Sequence, residues 1–200
     1  MRKTTTISLL LITAICLLAC EQTQFTDQRD GKTYKTTKIG EQVWLAENLN
    51  YEAEGSKCYN DSITYCDKYG RLYNWETAKK VCPNGWHSPS MAEWGFIMNF
   101  SSGETTGNNL KASNGWKPVK GIQGNGNDKF GFAALPGGYS DSGGSFFQIG
   151  YLGFWWSSSG GISNKENLAI GMYMNSKLKG ADFLLGSKTA LYSVRCIKNP

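Results

Sequence analysis

The chain has 200 residues, 21 of them basic and 16 acidic, for a formal net charge of +5. Its lysines are scattered (Lys79-Lys80, Lys117, Lys120, Lys177, Lys179, Lys188) with no basic run interleaved with aromatics, which argues against nucleic acid as a partner. With 24 glycines, 13% aromatic residues and a length suited to one core, the composition predicts a single domain rich in loops pinned by large rings.

Arg2 and Lys3 head an apolar run from Ile7 to Ala19, closed by Leu17-Leu18-Ala19-Cys20. That run, about 13 residues, is shorter than the ~20 a spanning helix needs, so residues 1–19 read as a secretory signal and not as a permanent anchor. The closing tetrapeptide resembles the lipobox of bacterial lipoproteins. This implies cleavage before Cys20, acylation of Cys20 and a tether over residues 20–26, with the membrane as a partner through the lipid. The competing reading is an ordinary signal cut after Ala19. Glu21 does not supply the aspartate that retains some lipoproteins at the inner membrane, so the expected address is the cell envelope, at the outer membrane. Loss of Arg2 and Lys3 with the signal leaves 19 basic residues against 16 acidic, a net charge of +3.

From Phe25 to Val43 the pattern alternates as in strands, with turn signals at Asp30-Gly31 and Gly40-Glu41. Trp44 to Leu49 leaves this sheet with apolar residues inward, and residues 52–68 read as a loop. Trp75 to Val81 is a predicted helix, capped by Asn74, favoured by Glu76 at its start and Lys79-Lys80 at its end, and stopped by Pro83. Ser90-Met91-Ala92-Glu93 fits a capping box, and Trp94, Ile97 and Met98 then give a second helix a buried stripe. Residues 101–127 show only glycine and asparagine clusters. Strands are predicted at Gly131 to Leu135, Tyr151 to Ser157, Leu168 to Met174 and Tyr192 to Ile197. No internal repeat appears at a fixed period.

After processing, Cys58, Cys66, Cys82 and Cys196 remain, and four thiols in an exported protein are most simply two disulfides with three possible connectivities. A zinc site is disfavoured, because the chain has no C-x-x-C pair and a single histidine.

The segments RDGKTYKTTKIGEQVWLAENLNY, YGRLYNWETAKKVCPNGWHSPSMAEW, GFAALPGGY, GFWWSSS and SVRCIKN resemble, in that order, the Fibrobacter succinogenes major paralogous domain, assigned here to residues 27–200. The family's name records abundance and no activity. More distantly, the W-x-x-A-x-x-x-C helix, the second helix with its acidic-aromatic pair, the tryptophan-rich strand and the terminal cysteine are similar to the C-type lectin-like fold. That resemblance implies an α+β architecture of two short helices on twisted antiparallel sheets with long glycine-rich loops. It also implies a bond from Cys82 to Cys196, which leaves Cys58 to Cys66. The formylglycine-generating enzymes share the broad architecture, and SPSMAEW is similar to one of their segments. Those enzymes use a pair of reactive cysteines near the C-terminal end, where this chain offers only Cys196.

Three constellations remain. His87 is the sole imidazole and the obvious general base, yet no neighbouring nucleophile accompanies it, so a structural role is expected. Asn125, Asn127 and Asp128 in GNGND are candidate calcium ligands, weighed against a tight turn closed by Asp128. Tyr139, Tyr151, Trp155 and Trp156 are candidate ligand-binding rings; as strand neighbours, Trp155 and Trp156 must point to opposite faces, and core packing competes with exposure of one of them. The sequence therefore predicts a binding or structural module without catalysis or cofactor, its ligand surface on the loops between Ser101 and Ser158. A polysaccharide is the first expected partner and an envelope protein the second.

Overall fold

The computed structural model describes residues 23–161 and 165–200. The signal and Cys20 lie outside these. In chain order, β1 (Gln24–Thr26), β2 (Thr33–Ile39) and β3 (Gln42–Leu45) form antiparallel hairpins at the two predicted turns. Then come β4 (Ser56–Lys57), α1 (Ile63–Tyr69), β5 (Leu72–Tyr73), α2 (Trp75–Ala78), β6 (Trp86–His87), α3 (Met91–Phe100) and α4 (Thr106–Leu110). The remainder is β7 (Tyr139–Ser140), β8 (Phe146–Phe147), β9 (Leu152–Gly160), β10 (Leu168–Asn175), β11 (Asp182–Ser187), β12 (Tyr192–Ser193) and β13 (Ile197–Lys198). One sheet runs β1-β2-β3-β13-β6, a second runs β11-β10-β9-β12-β5-β4, and β7 pairs with β8. The protein is thus mixed α+β, mostly sheet with a few short helices. Among the described residues, no helix is long and apolar enough to cross a membrane.

The expected helix starts are present. Asn74 accepts from the Thr77 amide, and Ser90 and Glu93 exchange the reciprocal bonds of a capping box. Two helices were not anticipated. In α1 the sequence is built of weak helix formers, and it is the Cys58–Cys66 bond and the burial of Cys66 and Tyr69 that hold the turn. In α4, Gly107 lies against the Gly180 backbone so closely that a Cβ would collide with the Gly180 carbonyl. A five-residue helix made by such packing has no periodic signature to read.

Two predicted strands need correction. Gly131 to Leu135 forms only an isolated bridge, from Ala134 to Lys111, because Phe132 and Ala133 place their backbone groups on side chains: Asp128 Oδ1 accepts from the Ala133 amide, and Arg195 donates to both carbonyls. Tyr192 to Ile197 is split in two. The chain pairs in the second sheet through β12, passes to the first through Val194-Arg195-Cys196, and pairs there through β13. Along this passage the Leu45 and Leu49 amides take the Cys196 and Val194 carbonyls. A further strand, β11, lies where none was predicted.

Both disulfides, Cys58–Cys66 and Cys82–Cys196, are formed. The second ties the chain just after α2 to the start of β13 and closes a loop of 114 residues. Adjacent Trp155 and Trp156 do point to opposite faces of β9, and both are fully buried. Trp156 stacks on Tyr192 in a cluster with Tyr73, Trp75 and Leu49, while Trp155 packs in another with Met172, Met174 and Ile197.

Candidate functional site

The polar centre of the molecule lies where the two sheets are joined. Arg195 has no exposed surface, and its guanidinium donates to the Leu45, Phe132 and Ala133 carbonyls and to Asn48 Oδ1. Burial pushes its pKa down to about 9, against the pull of Glu47 and Asp128, so it remains charged at neutral pH. Asn48 Oδ1 is shared: it accepts from Arg195 Nη2 at 2.9 Å and from Trp155 Nε1 at 2.8 Å, while Asn48 Nδ2 donates to the Tyr69 carbonyl at 2.8 Å. Every contact in this network is internal, so its task is to hold the fold.

His87 is likewise absorbed by structure. One ring nitrogen lies 2.8 Å from Glu93 Oε1 and the other 2.8 Å from Asn199 Oδ1, which ties β6 to the start of α3 and to the C-terminal residues. Burial alone would raise Glu93, but bonds from the Ser90 amide, His87 and the Ser90 hydroxyl together hold its carboxyl below the usual carboxylate range. The hydroxyl in this group, Ser90 Oγ, donates to Glu93 Oε2 as part of the capping box.

The calcium candidates are engaged in hydrogen bonds to the backbone. Asn125 Oδ1 accepts from the Trp116 amide, Asn127 Oδ1 from the Lys129 amide and Asp128 Oδ1 from the Ala133 amide. Asp128 takes a positive φ of 47°, as the turn reading requires. Among the described residues, no group of three or more His, Cys, Asp or Glu side chains is gathered to hold a metal ion.

The four candidate rings part company. Trp155 and Trp156 are core, as are the other five of the chain's seven tryptophans, so among the described residues no indole is presented to a ligand. Tyr139 is half-buried among Phe147, Phe154 and Tyr192. Tyr151 lines an open groove, of about 590 Å³, together with Val119, Gln148, Leu152, Asn175, Ser176, Lys177 and Leu178.

Three turns build this groove. In the first, Val119 and Ile122 exchange backbone bonds across a short reversal. The second places Gln148 at a φ of 64° and Gly150 at 85°, and the Gly150 carbonyl takes the Lys117 amide. Asparagine turn chemistry sets the third: Asn175 Oδ1 accepts from the Lys177 and Leu178 amides. Buried Lys111 supports that turn from below, its Nζ donating to the Asn175 and Leu178 carbonyls at 3.1 and 3.0 Å. No carboxylate accompanies it, and burial pushes its pKa down to about 8.

The groove thus pairs an aromatic ring and three aliphatic side chains with two amides, a serine and a lysine, a composition suited to binding. Val119, Gln148, Tyr151 and Leu152 fall within the Ser101 to Ser158 range expected to carry the ligand surface, with only Tyr151 named as a candidate, whereas Asn175, Ser176, Lys177 and Leu178 lie outside it. Leu178 carried the only sequence signal, an apolar residue between lysines in a turn; it is 56% exposed. Gln148, Asn175 and Val119 carry no signal, because their proximity is a product of the fold.

No curated protein and no solved structure matches the chain. The model of the Fibrobacter succinogenes major domain matches residues 37–198, from β2 into β13. The chain therefore belongs to the Fibrobacter succinogenes major domain family.

Proposed function

We propose that the chain is a lipid-anchored module of the cell envelope, of the C-type lectin-like class, that binds a polysaccharide in the Tyr151 groove and carries out no catalysis. The Cys82–Cys196 bond, the short helices on two sheets and the long loops between α4 and β9 support the lectin-like reading. Support for binding rests on one observation: the candidate ring Tyr151 lines an open groove, and amide and ammonium groups from Gln148, Asn175 and Lys177 line it too. An aromatic face takes the C–H face of a sugar while such donors meet its hydroxyls. Against catalysis stand the four bonded cysteines and a His87 whose two nitrogens are both engaged. Exposed Leu178 favours an envelope protein as the second reading.

The test is retention of the oxidised soluble chain on insoluble plant polysaccharides and on envelope fractions, with Tyr151→Ala as the variant. Retention on polysaccharide that Tyr151→Ala abolishes supports the reading. Absence of retention on every polysaccharide removes it, and retention on protein alone selects the second reading.

A further inference from the structure

One face of the molecule carries aromatic rings that stay partly exposed despite their contacts with one another. On α3 the outward residues are Ala92, Phe96, Asn99 and Phe100, a stripe without charge. Phe96 and Phe100 are 40% and 50% exposed and stack on each other with ring centres 5.9 Å apart. Phe130, partly buried, packs against Phe100 at the same separation. The patch sits on the β2–β3 turn: Gly40 has a φ of 59°, and a Cβ there would lie 2.8 Å from the Phe96 ring. Exposed Lys38, two residues before Gly40, and Lys129 flank it, with Lys129 Nζ 5.5 Å from the Phe130 ring centre and Glu41 at the turn as the neighbouring acid.

The strand register says what lies against this face. β1 is the edge strand, Gln24 is paired with Lys35, and the Thr36 amide donates to the Thr23 carbonyl. Read backwards from Thr26, the chain therefore runs along β2 toward Ile39 and Gly40. Cys20 is three residues before Thr23, a span of at most about 11 Å. The same length along β2 from Thr36 ends at the Gly40 turn. If Cys20 is acylated, the bilayer lies within about 11 Å of Thr23, where the described chain is heading toward the turn that carries the patch.

We infer that Phe96, Phe100 and Phe130 form a lipid-facing surface that seats the domain on the bilayer beside its acyl anchor and sets its orientation. This rests on the acylation of Cys20 within the proposed function. Aromatic and apolar side chains enter the boundary between headgroups and acyl chains while flanking lysines reach lipid phosphates. The anchor supplies the hold, and the rings fix which face meets the membrane.

The test uses the full acylated chain in vesicles of phosphatidylethanolamine and phosphatidylglycerol, some bearing brominated acyl chains, after mass spectrometry of its N-terminal peptide. Phe100→Trp introduces a reporter indole against seven buried ones, and Phe147→Trp on the β7–β8 ribbon serves as a second site. The expected result is loss of the Phe100→Trp emission on brominated lipid, strongest for bromine at shallow positions, with the wild-type and Phe147→Trp emissions unchanged. An acylated chain whose Phe100→Trp emission is unquenched overturns this inference alone, including the case where a second copy or another protein shields the ring. Equal quenching of both reporters also overturns it, since no face is then preferred. A peptide without acyl mass at Cys20 overturns it together with the anchoring it rests on.

Discussion

Asn48→Ala is the sharpest perturbation of the internal architecture, because one amide serves two partners that have nowhere else to turn. The substitution leaves the Trp155 indole N–H, buried at 0% exposure, without its acceptor and the Tyr69 carbonyl without its donor. An unsatisfied buried group costs about 1–3 kcal/mol, and more where charge is involved, as with the Nε and Nη2 of Arg195. Arg195 keeps the Leu45 and Phe132 carbonyls, so its loss is partial. Together these place the effect at about 4 kcal/mol, a large fraction of the ~5–15 kcal/mol that holds a domain. Asn48→Asp separates the contributions: a carboxylate keeps the acceptor for Trp155 and Arg195 and adds a charge opposite the guanidinium, but it loses the donor to Tyr69. Urea unfolding followed by tryptophan emission is the assay, with Asn48→Asp expected between wild type and Asn48→Ala. An Asn48→Ala loss below about 1 kcal/mol, the scale of an ordinary surface change, would refute the shared-acceptor argument.

The other predictions concern the staples, a helix start and pH. Cys82→Ala with Cys196→Ala should cost about 5 kcal/mol and Cys58→Ala with Cys66→Ala about 2.5, from loops of 114 and 8 residues, so equal urea midpoints for the two would contradict the chain-entropy account. Ser90→Ala removes the acceptor for the Glu93 amide and a donor to Glu93, and should cost about 1 kcal/mol in the same assay while raising the Glu93 carboxyl in an NMR titration. Lys111 falls from 10.5 in the open chain to about 8 when folded; between these values the unfolded state holds a proton that the native state lacks, so stability should rise with pH across that window, by about 3 kcal/mol in all, and stay flat below it. Lys111→Met should abolish the rise. The buried phenols Tyr34 and Tyr192, pushed up to about 12, act with the opposite sign only above their ordinary value of 10.

What was legible in the sequence is what repeats locally or caps an end. The capping box at Ser90, the Asn74 cap and the two early hairpins follow from residues a few positions apart, and the opposed faces of Trp155 and Trp156 follow from the period of a strand. The network of Asn48 and Arg195 was not legible, because the partners are 147 residues apart and nothing near Asn48 marks its amide as buried. For the same reason Gly131 to Leu135 passed for a strand. Nothing local shows that a distant arginine and the Asp128 side chain take its backbone groups.

The groove was only half legible, and the way it is built explains why. Its backbone is held largely by groups outside its lining, Lys111 Nζ on the Asn175 and Leu178 carbonyls and the Lys117 amide on Gly150, while Asn175 does both, lining the groove as its Oδ1 accepts from the Lys177 and Leu178 amides. The lining side chains Val119, Gln148, Tyr151 and Leu178 are therefore released from structural duty. Substitutions there should move stability by no more than about 0.5 kcal/mol while changing what the groove accepts. Composition and periodicity report core packing, and these positions lie outside the core clusters, so the same separation that hides the ligand from the sequence makes the site open to change on a fixed, stapled frame. A Tyr151→Ala chain with wild-type unfolding and lost retention would show that separation directly. If Tyr151→Ala unfolded the domain as Asn48→Ala should, the ring would be core, and the groove would lose its claim as the site.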